Sequence, residues 1–291
     1  MILDTLIQYE APLRLVLFLG VFVVLAVAET LVPRRALLVA KGKRWFANLA
    51  IVLINTVMVR LAAPVAAVGV ALAAEQRGAG LLHMVEWPLF LEIALAVLLL
   101  DLAIYLQHVM FHAVPLLWRL HRMHHADLDF DVTTGTRFHP VEMLLSLGIK
   151  AAVILVTGAP VAAVLLFEIL LNLTAMFNHS NLRMPVAVDA MLRLFVVTPD
   201  MHRVHHSLDT EETNRNFGFN LPWWDRLFGT YRDQPRLGHD GMVIGTPAFR
   251  DARQCATLGG MLLMPFARRP EGAAVRGELS GEQPRAKPFL Y

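Results

Sequence analysis

Ten of the twelve histidines in this 291-residue chain are spaced as metal ligands would be. His108 and His112 are four apart. His121, His124 and His125 follow at i, i+3 and i+4, and His202, His205 and His206 repeat that arrangement. Side chains three and four residues apart on a helix are neighbours, so imidazoles at these spacings can close on one ion. His139 and His179 stand singly between the two HxxHH segments and complete the set. A tetrahedral zinc site uses four ligands, or three and a water, so ten suit two ions with about five nitrogens each. Imidazole serves iron, copper, nickel and zinc alike, and ligand type alone does not choose among them. His83 and His239 lie apart from the pattern and read as surface residues.

Other chemistries lack their signatures. In His108-Val109-Met110-Phe111-His112 a valine stands where the HExxH metalloprotease pattern needs its general base. No GxSxG, GxGxxG or Walker-type loop occurs. Asp127, Asp129 and Asp131 follow the first HxxHH closely and keep metal-dependent hydrolysis of a lipid headgroup as an alternative.

The histidines need membrane elements to position them. Hydrophobic residues make up 56% of the chain and charged residues 17%, and the mean hydropathy is +0.52. That balance predicts an all-α integral membrane bundle. A net charge of +2 gives no reason to expect a nucleic-acid partner. A single cysteine, Cys255, excludes a disulfide framework, a thiolate zinc site and a four-cysteine iron–sulfur cluster. Redox chemistry at C–H bonds of apolar lipids suits a metal pair at the end of such a bundle, and this favours iron.

Four to five membrane segments are expected. Residues 13–33 form the first, read as a retained helix because residues 1–12 lack a basic leader region. Residues 46–74 form the second, with a tilt or kink at Pro64 and with Arg60 turned away from lipid. A third begins at Pro88 and ends on the stripe Asp101, Tyr105, His108, His112, in which Asp101 and Tyr105 are candidates to orient an imidazole. Residues 141–178 form a hairpin split at Gly158-Ala159-Pro160, with Lys150 and Glu168 at matching depth and expected to pair. Arg34, Arg35, Lys41, Lys43 and Arg44 form the densest basic loop, which the positive-inside rule places in the cytoplasm together with the histidines. His202–His206 should begin a short helix after Thr198-Pro199-Asp200, and 214–231 should cap the membrane surface. Arg119, Arg122, Arg137 and Arg203 read as headgroup contacts, and Trp223 and Trp224 as interfacial anchors. Residues 266–291 have the composition of a disordered tail. The expected organisation is a transmembrane region 1–90, a histidine-box domain 91–235 and a polar tail 236–291.

The residues also resemble a known family. Asp101-x3-Tyr105-x2-His108-x3-His112, then LHRMHH ending at His125, TGTRFHP with Glu142, the NHSN around His179, HRVHH ending at His206, and WDRLFGTY ending at Tyr231 are similar to the fatty acid hydroxylase superfamily, also called the sterol desaturase family. The resemblance covers about residues 95–235. It implies a membrane-embedded non-haem di-iron oxygenase that hydroxylates or desaturates a lipid such as a sterol-like, hopanoid, carotenoid or acyl lipid. It implies two iron ions, O2 as co-substrate, a separate electron-transfer protein or reductase, and the ten histidines as ligands. Family members acting on fatty acyl chains tend to carry a further histidine four residues before the NHS histidine; here Ala175 stands there, and the resemblance implies that His139 supplies the nitrogen. Residue usage rich in Ala, Arg and Val suggests a bacterial inner membrane. The rival reading is a non-catalytic metal-binding membrane protein, a scaffold or transporter. A transporter would need ligating residues at mid-membrane, whereas these histidines gather at one surface.

Overall fold

The computed structural model describes residues 9–63 and 66–267, and they form an all-helical bundle in which the only β pairing consists of isolated bridges. Five segments are long and apolar enough to cross a membrane, and the protein is an integral membrane protein. Helix α1 spans Glu10–Leu31, α2 Lys41–Ala62, α3 Ala66–Gln76 and α4 Leu89–Ala113. Helix α5 is Pro115–His125, and the hairpin is α6 (Pro140–Thr157) and α7 (Val161–Asn178). The expected second segment is therefore two helices. The break expected at Pro64 lies outside the described residues. Arg60 departs from expectation: it sits in the last turn of α2 with its side chain exposed, because the helix ends two residues later and not at mid-span.

Helix α4 is the centre of the bundle and packs against α5, α6 and α7. Outside the stripe of Asp101, Tyr105, His108 and His112 it is largely apolar, as expected of a helix sheathed by lipid and by other helices. Between apolar helices in lipid there is little hydrophobic drive, so close backbone approach matters more. Ala67, Ala71, Ala96, Ala159 and Ala163 supply it in the main core, filled by Leu100, Ile104, Ile154, Val164 and Phe167. At the end of the hairpin remote from the histidines, Gly158 ends α6 in the left-handed region with φ 69°. A Cβ added to Gly80 would stand 2.2 Å from the backbone nitrogen of Gly158, so glycine alone allows the Gly80 loop to lie on that turn.

Lys150 pairs with Glu168, as their depth in the hairpin requires, and Arg14 of α1 joins them at 2.8 Å from Glu168 Oε2. That cluster fastens one end of α1. At its other end the buried Glu29 accepts from the backbone nitrogens of Val132 (3.0 Å) and Asn181 (3.1 Å).

Beyond the spans, short helices and loops build a cap on the histidine side. Helix α8 (Val186–Leu192) and helix α9 (Pro199–His205) belong to it, and Thr198 caps α9 by accepting from Met201 N. Residues 236–267 are packed against this cap. Met242 and Ile244 close on Phe130, while Phe249, Cys255, Met261 and Met264 form a core with Val39, Ile51 and Met123. This departs from the polar tail expected from 236 onward; the remainder of that tail, from 268, lies outside the described residues. His239 is likewise buried, 3.6 Å from Asp200, because the folded 236–267 segment carries it inward.

Candidate metal centre

Two groups of imidazoles meet where α4, α5, α7 and α9 converge. His108, His112, His121, His125 and His205 form one, and His124, His179, His202 and His206 the other; within each, the ligand atoms lie within 4.8 Å of one another. The local reason is helical spacing. On α5, His121 and His125 are one turn apart and face α4, while His124 is turned toward α7 and α9. On α9, His205 goes to the first group and His202 and His206 to the second. Each HxxHH segment therefore serves both groups, and the recurrence in sequence becomes an exchange of ligands between two helices.

The tautomers are set by neighbours. His108 Nδ1 donates to Phe217 O (2.8 Å), His205 Nδ1 to Arg215 O (2.7 Å), and His179 Nδ1 to Ala175 O (2.7 Å). His121 Nδ1 donates to Glu142 Oε1 at 2.6 Å. Each of these bonds leaves Nε2 as a lone pair. Yet His108 Nε2 lies 3.1 Å from His121 Nε2 and 3.0 Å from His205 Nε2. Facing lone pairs repel, and no proton can sit between nitrogens whose protons are already spent on Nδ1. A cation resolves the conflict: nitrogens this far apart can both lie about 2.1 Å from one ion, the usual metal–imidazole distance. In the second group His179 Nε2 is 3.2 Å from His124 Nε2 and 3.1 Å from His202 Nε2. His206 is fully buried with neither ring nitrogen bonded. The residues fit a pair of metal ions.

Electrostatics favour the neutral form at most of these positions. Burial, reinforced by neighbouring imidazoles, holds His124, His125, His202 and His206 well below the usual histidine range. Burial pushes His179 and His205 down to about 3 despite the carbonyls that oppose it. Neutral imidazole is the form that ligates.

The supports around the groups come from three places. The turn 215–218 is shaped by Asn216, the one described residue other than glycine with positive φ (53°). Its side chain donates to Met201 O and Arg232 O, each at 2.8 Å, so the flanking carbonyls of Arg215 and Phe217 meet the two histidines. Asp225 grips the same turn through Phe217 N and Gly218 N at 2.8 Å. On the other flank, residues 127–137 wrap Arg44, which is buried against Asp127 (2.8 Å) and Asp131 (2.7 Å). Burial alone would raise the Asp127 carboxyl, but Arg44 and Arg137 beside it hold it down to about 2. Gly135 in this loop touches the second group: a Cβ there would lie 2.4 Å from Ala175 O and 3.1 Å from His179 Nδ1.

Several expectations shift. His139 lies in neither group. It caps α6, its Nδ1 accepting from Val141 N (3.2 Å) and its Nε2 donating to Leu262 O (3.3 Å). The position of Ala175 contributes its backbone oxygen to His179 instead. Asp101 touches no imidazole; it accepts from Asn220 Nδ2 and Trp224 Nε1 (2.8 Å each) and holds the 217–224 loop over α4. Trp224 is thereby a strut, whereas Trp223 is exposed. Tyr105 bonds Thr230 (2.9 Å), which in turn bonds Asp225 (2.7 Å), so it acts on the histidines through the turn. Asp127, Asp129 and Asp131 stand outside both groups, spent on Arg44 and on the backbone of Leu38 and Val39.

Arg122, Arg137 and Arg203 are buried and bond carbonyls and carboxylates inside the cap, which overturns the headgroup reading for all three. Arg119 alone of that set is exposed. Glu142, Asn216 and Asp225 had no role from spacing. Glu142 was the most accessible of them, lying one turn into a helix that starts beside His139.

Residues 93–230 match the fatty acid hydroxylase family model. Over 200 residues the chain is 28% identical to the ornithine lipid hydroxylase OlsE of Rhizobium tropici, covering 69% of this chain and 56% of that protein. It is 30% identical over 132 residues to human alkylglycerol monooxygenase, covering 45% of this chain and 28% of that one. The chain thus spans about half the length, or less, of these curated relatives. No solved structure matches it. The histidine order, the two groups it builds and the match across their full extent agree: residues 93–230 of this chain belong to the fatty acid hydroxylase family.

Proposed function

We propose that the protein is a di-iron, O2-dependent lipid hydroxylase, whose ligands are the nine grouped histidines. The observation that carries the reading is the set of opposed Nε2 lone pairs of His108, His121 and His205, 3.0–3.1 Å apart, buried at the end of a membrane bundle. Relatives named for hydroxylating ornithine lipid and oxygenating alkylglycerol support a substrate with a long acyl or alkyl chain below a polar head. Two bound iron ions would supply O2 activation against a C–H bond, with two electrons from a separate donor protein, giving an alcohol and water.

The protein's own part is positioning and exclusion. Glu142 and the carbonyls of Phe217, Arg215 and Ala175 fix the imidazole tautomers, which in metal sites also strengthens the ligand. Phe130, Phe138, Phe217 and Phe219 pack on the rings and keep bulk water out. His112 is only half-buried, beside the half-buried Trp118 and the exposed turn 113–116, so this side of the five-histidine group gives access. The basic loop between α1 and α2 shares the histidine side, which by the positive-inside rule is the cytoplasmic face, here of a bacterial inner membrane.

The test is metal content and product in one preparation. Protein purified without oxygen should hold about two irons per chain, and with O2, a reductant and host lipids it should yield lipids heavier by one oxygen atom. A His124→Ala, His205→Ala chain should give neither. Folded wild type without metal, or with metal and no oxygenated lipid, returns the protein to the scaffold reading.

A further inference from the structure

The histidine side carries a second concentration of charge remote from the metal ligands. Where α1 and α7 leave the bilayer their chains pair: Pro33 bridges Leu182, Arg34 N donates to Asn181 O (2.8 Å) and Arg183 N to Val32 O (2.9 Å). This pairing brings Arg34, Arg35 and Arg183 around a cavity of about 290 Å³, completed by Ala36, Leu38 and Asp240. Three arginines and one carboxylate line it. That carboxylate is a loose partner, since the Asp240 side chain is 73% exposed where it meets Arg34 Nη1 at 2.7 Å. Arg34 Nε also holds Asp200 (3.2 Å), and Arg35 Nη1 donates to the carbonyls of His239 and Met242. Arg183 Nη2 donates to Arg34 O (3.2 Å), and the backbone pairing of the two chain segments holds the three arginines together.

Depth in the membrane decides what such a pocket meets. Immediately on the α1 side, Leu31 is 75% exposed and Val32 49%; immediately after Arg183, Val186 is 85% exposed, with Met191, Leu194 and Phe195 exposed beyond it. Apolar residues left bare on both sides of the arginines mark the boundary between hydrocarbon and water. The anion abundant at that depth is a lipid phosphate. Guanidinium forks match its oxygens two at a time, and basic pockets at the ends of membrane helices are where anionic headgroups bind.

We propose that Arg34, Arg35 and Arg183 form a binding site for the phosphate of an anionic phospholipid headgroup. An incoming phosphate displaces Asp240 from Arg34, while the half-buried pairing of Arg34 with Asp200 stays. Because Asp200 lies in the first turn of α9, the bound lipid sits one ion pair from the helix that carries His202 and His205.

The experiment needs neither metal nor substrate. Full-length protein stripped of lipid in neutral detergent is titrated calorimetrically with dihexanoyl phosphatidylglycerol, with dihexanoyl phosphatidylcholine and with inorganic phosphate. Phosphatidylglycerol should bind saturably and phosphatidylcholine should not. Arg183→Gln, an exposed substitution, should weaken phosphatidylglycerol roughly tenfold, as loss of one charge-assisted hydrogen bond does. Asp240→Asn should tighten it, since the competing carboxylate is gone. Equal binding of the two lipids, or phosphatidylglycerol binding indifferent to both variants, overturns the site. Saturable binding of inorganic phosphate that phosphatidylglycerol cannot displace overturns the lipid assignment.

Discussion

The two histidine groups sit side by side and are built differently. The five-histidine group draws on α4, α5 and α9 and has one half-exposed member, His112, next to Trp118. The four-histidine group draws on α5, α7 and α9, and every member is buried beneath Phe130, Phe138 and Phe219. One is richer in donors and open; the other is poorer in donors and sealed. The number of ligands governs how tightly an ion is held, but the route to solvent governs how fast it leaves. In this protein the two orderings run in opposite directions.

The largest effect should come from the sealed group. His179→Ala removes one of four ligands there and should lower iron from about two atoms per chain to about one, with lipid oxidation lost; iron unchanged by atomic emission would show that the groups do not bind separate ions. The second effect is kinetic. A coloured ferrous chelator mixed with the holoprotein should strip iron in two phases separated by roughly tenfold or more, the ratio that ~1.4 kcal/mol in local opening produces. Trp118→Ala should quicken only the fast phase. A single phase for both ions would abolish the distinction.

A smaller effect should follow Glu142→Gln, which weakens the carboxylate behind His121. Metal affinity at the five-histidine group should fall about 10–100-fold, the usual penalty for an outer partner, and the slow phase should keep its rate. The smallest change tests independence from the bundle. Lys150→Met leaves Glu168 its contact with Arg14, so it should lower stability by about 1.5 kcal/mol in a reversible unfolding titration and leave both phases of iron release alone.

What could be read from the amino acids followed from range of interaction. Helical spacing is local, so the stripe through His108 and His112 and both HxxHH turns were visible in the chain, as were the hairpin turn at Gly158 and the pairing of Lys150 with Glu168. The partition of each HxxHH between two groups was hidden, because it depends on how α5 and α9 face each other. The carbonyls of Ala175, Arg215 and Phe217 were hidden too, since a backbone oxygen has no residue identity. His139 misled because a histidine beside a proline can cap its own helix as readily as bind an ion. The basic loop showed only its charge. Its net sign suited a membrane surface, yet Arg44 goes to the interior, where carboxylates more than eighty residues later in the chain await it.

That separation imposes an order in time. Arg44 emerges from the ribosome long before Asp127 and Asp131, and at 5–20 residues per second it waits several seconds in water beside a helix already in the bilayer. Arg35 waits longer, for the carbonyls of His239 and Met242. The loop of residues 127–137 can close on Arg44 only after α5 is made, and the cap can lock only when residue 242 has left the exit tunnel. The two rings of histidines are thus completed late, on a scaffold whose first two helices have stood ready since the start of synthesis.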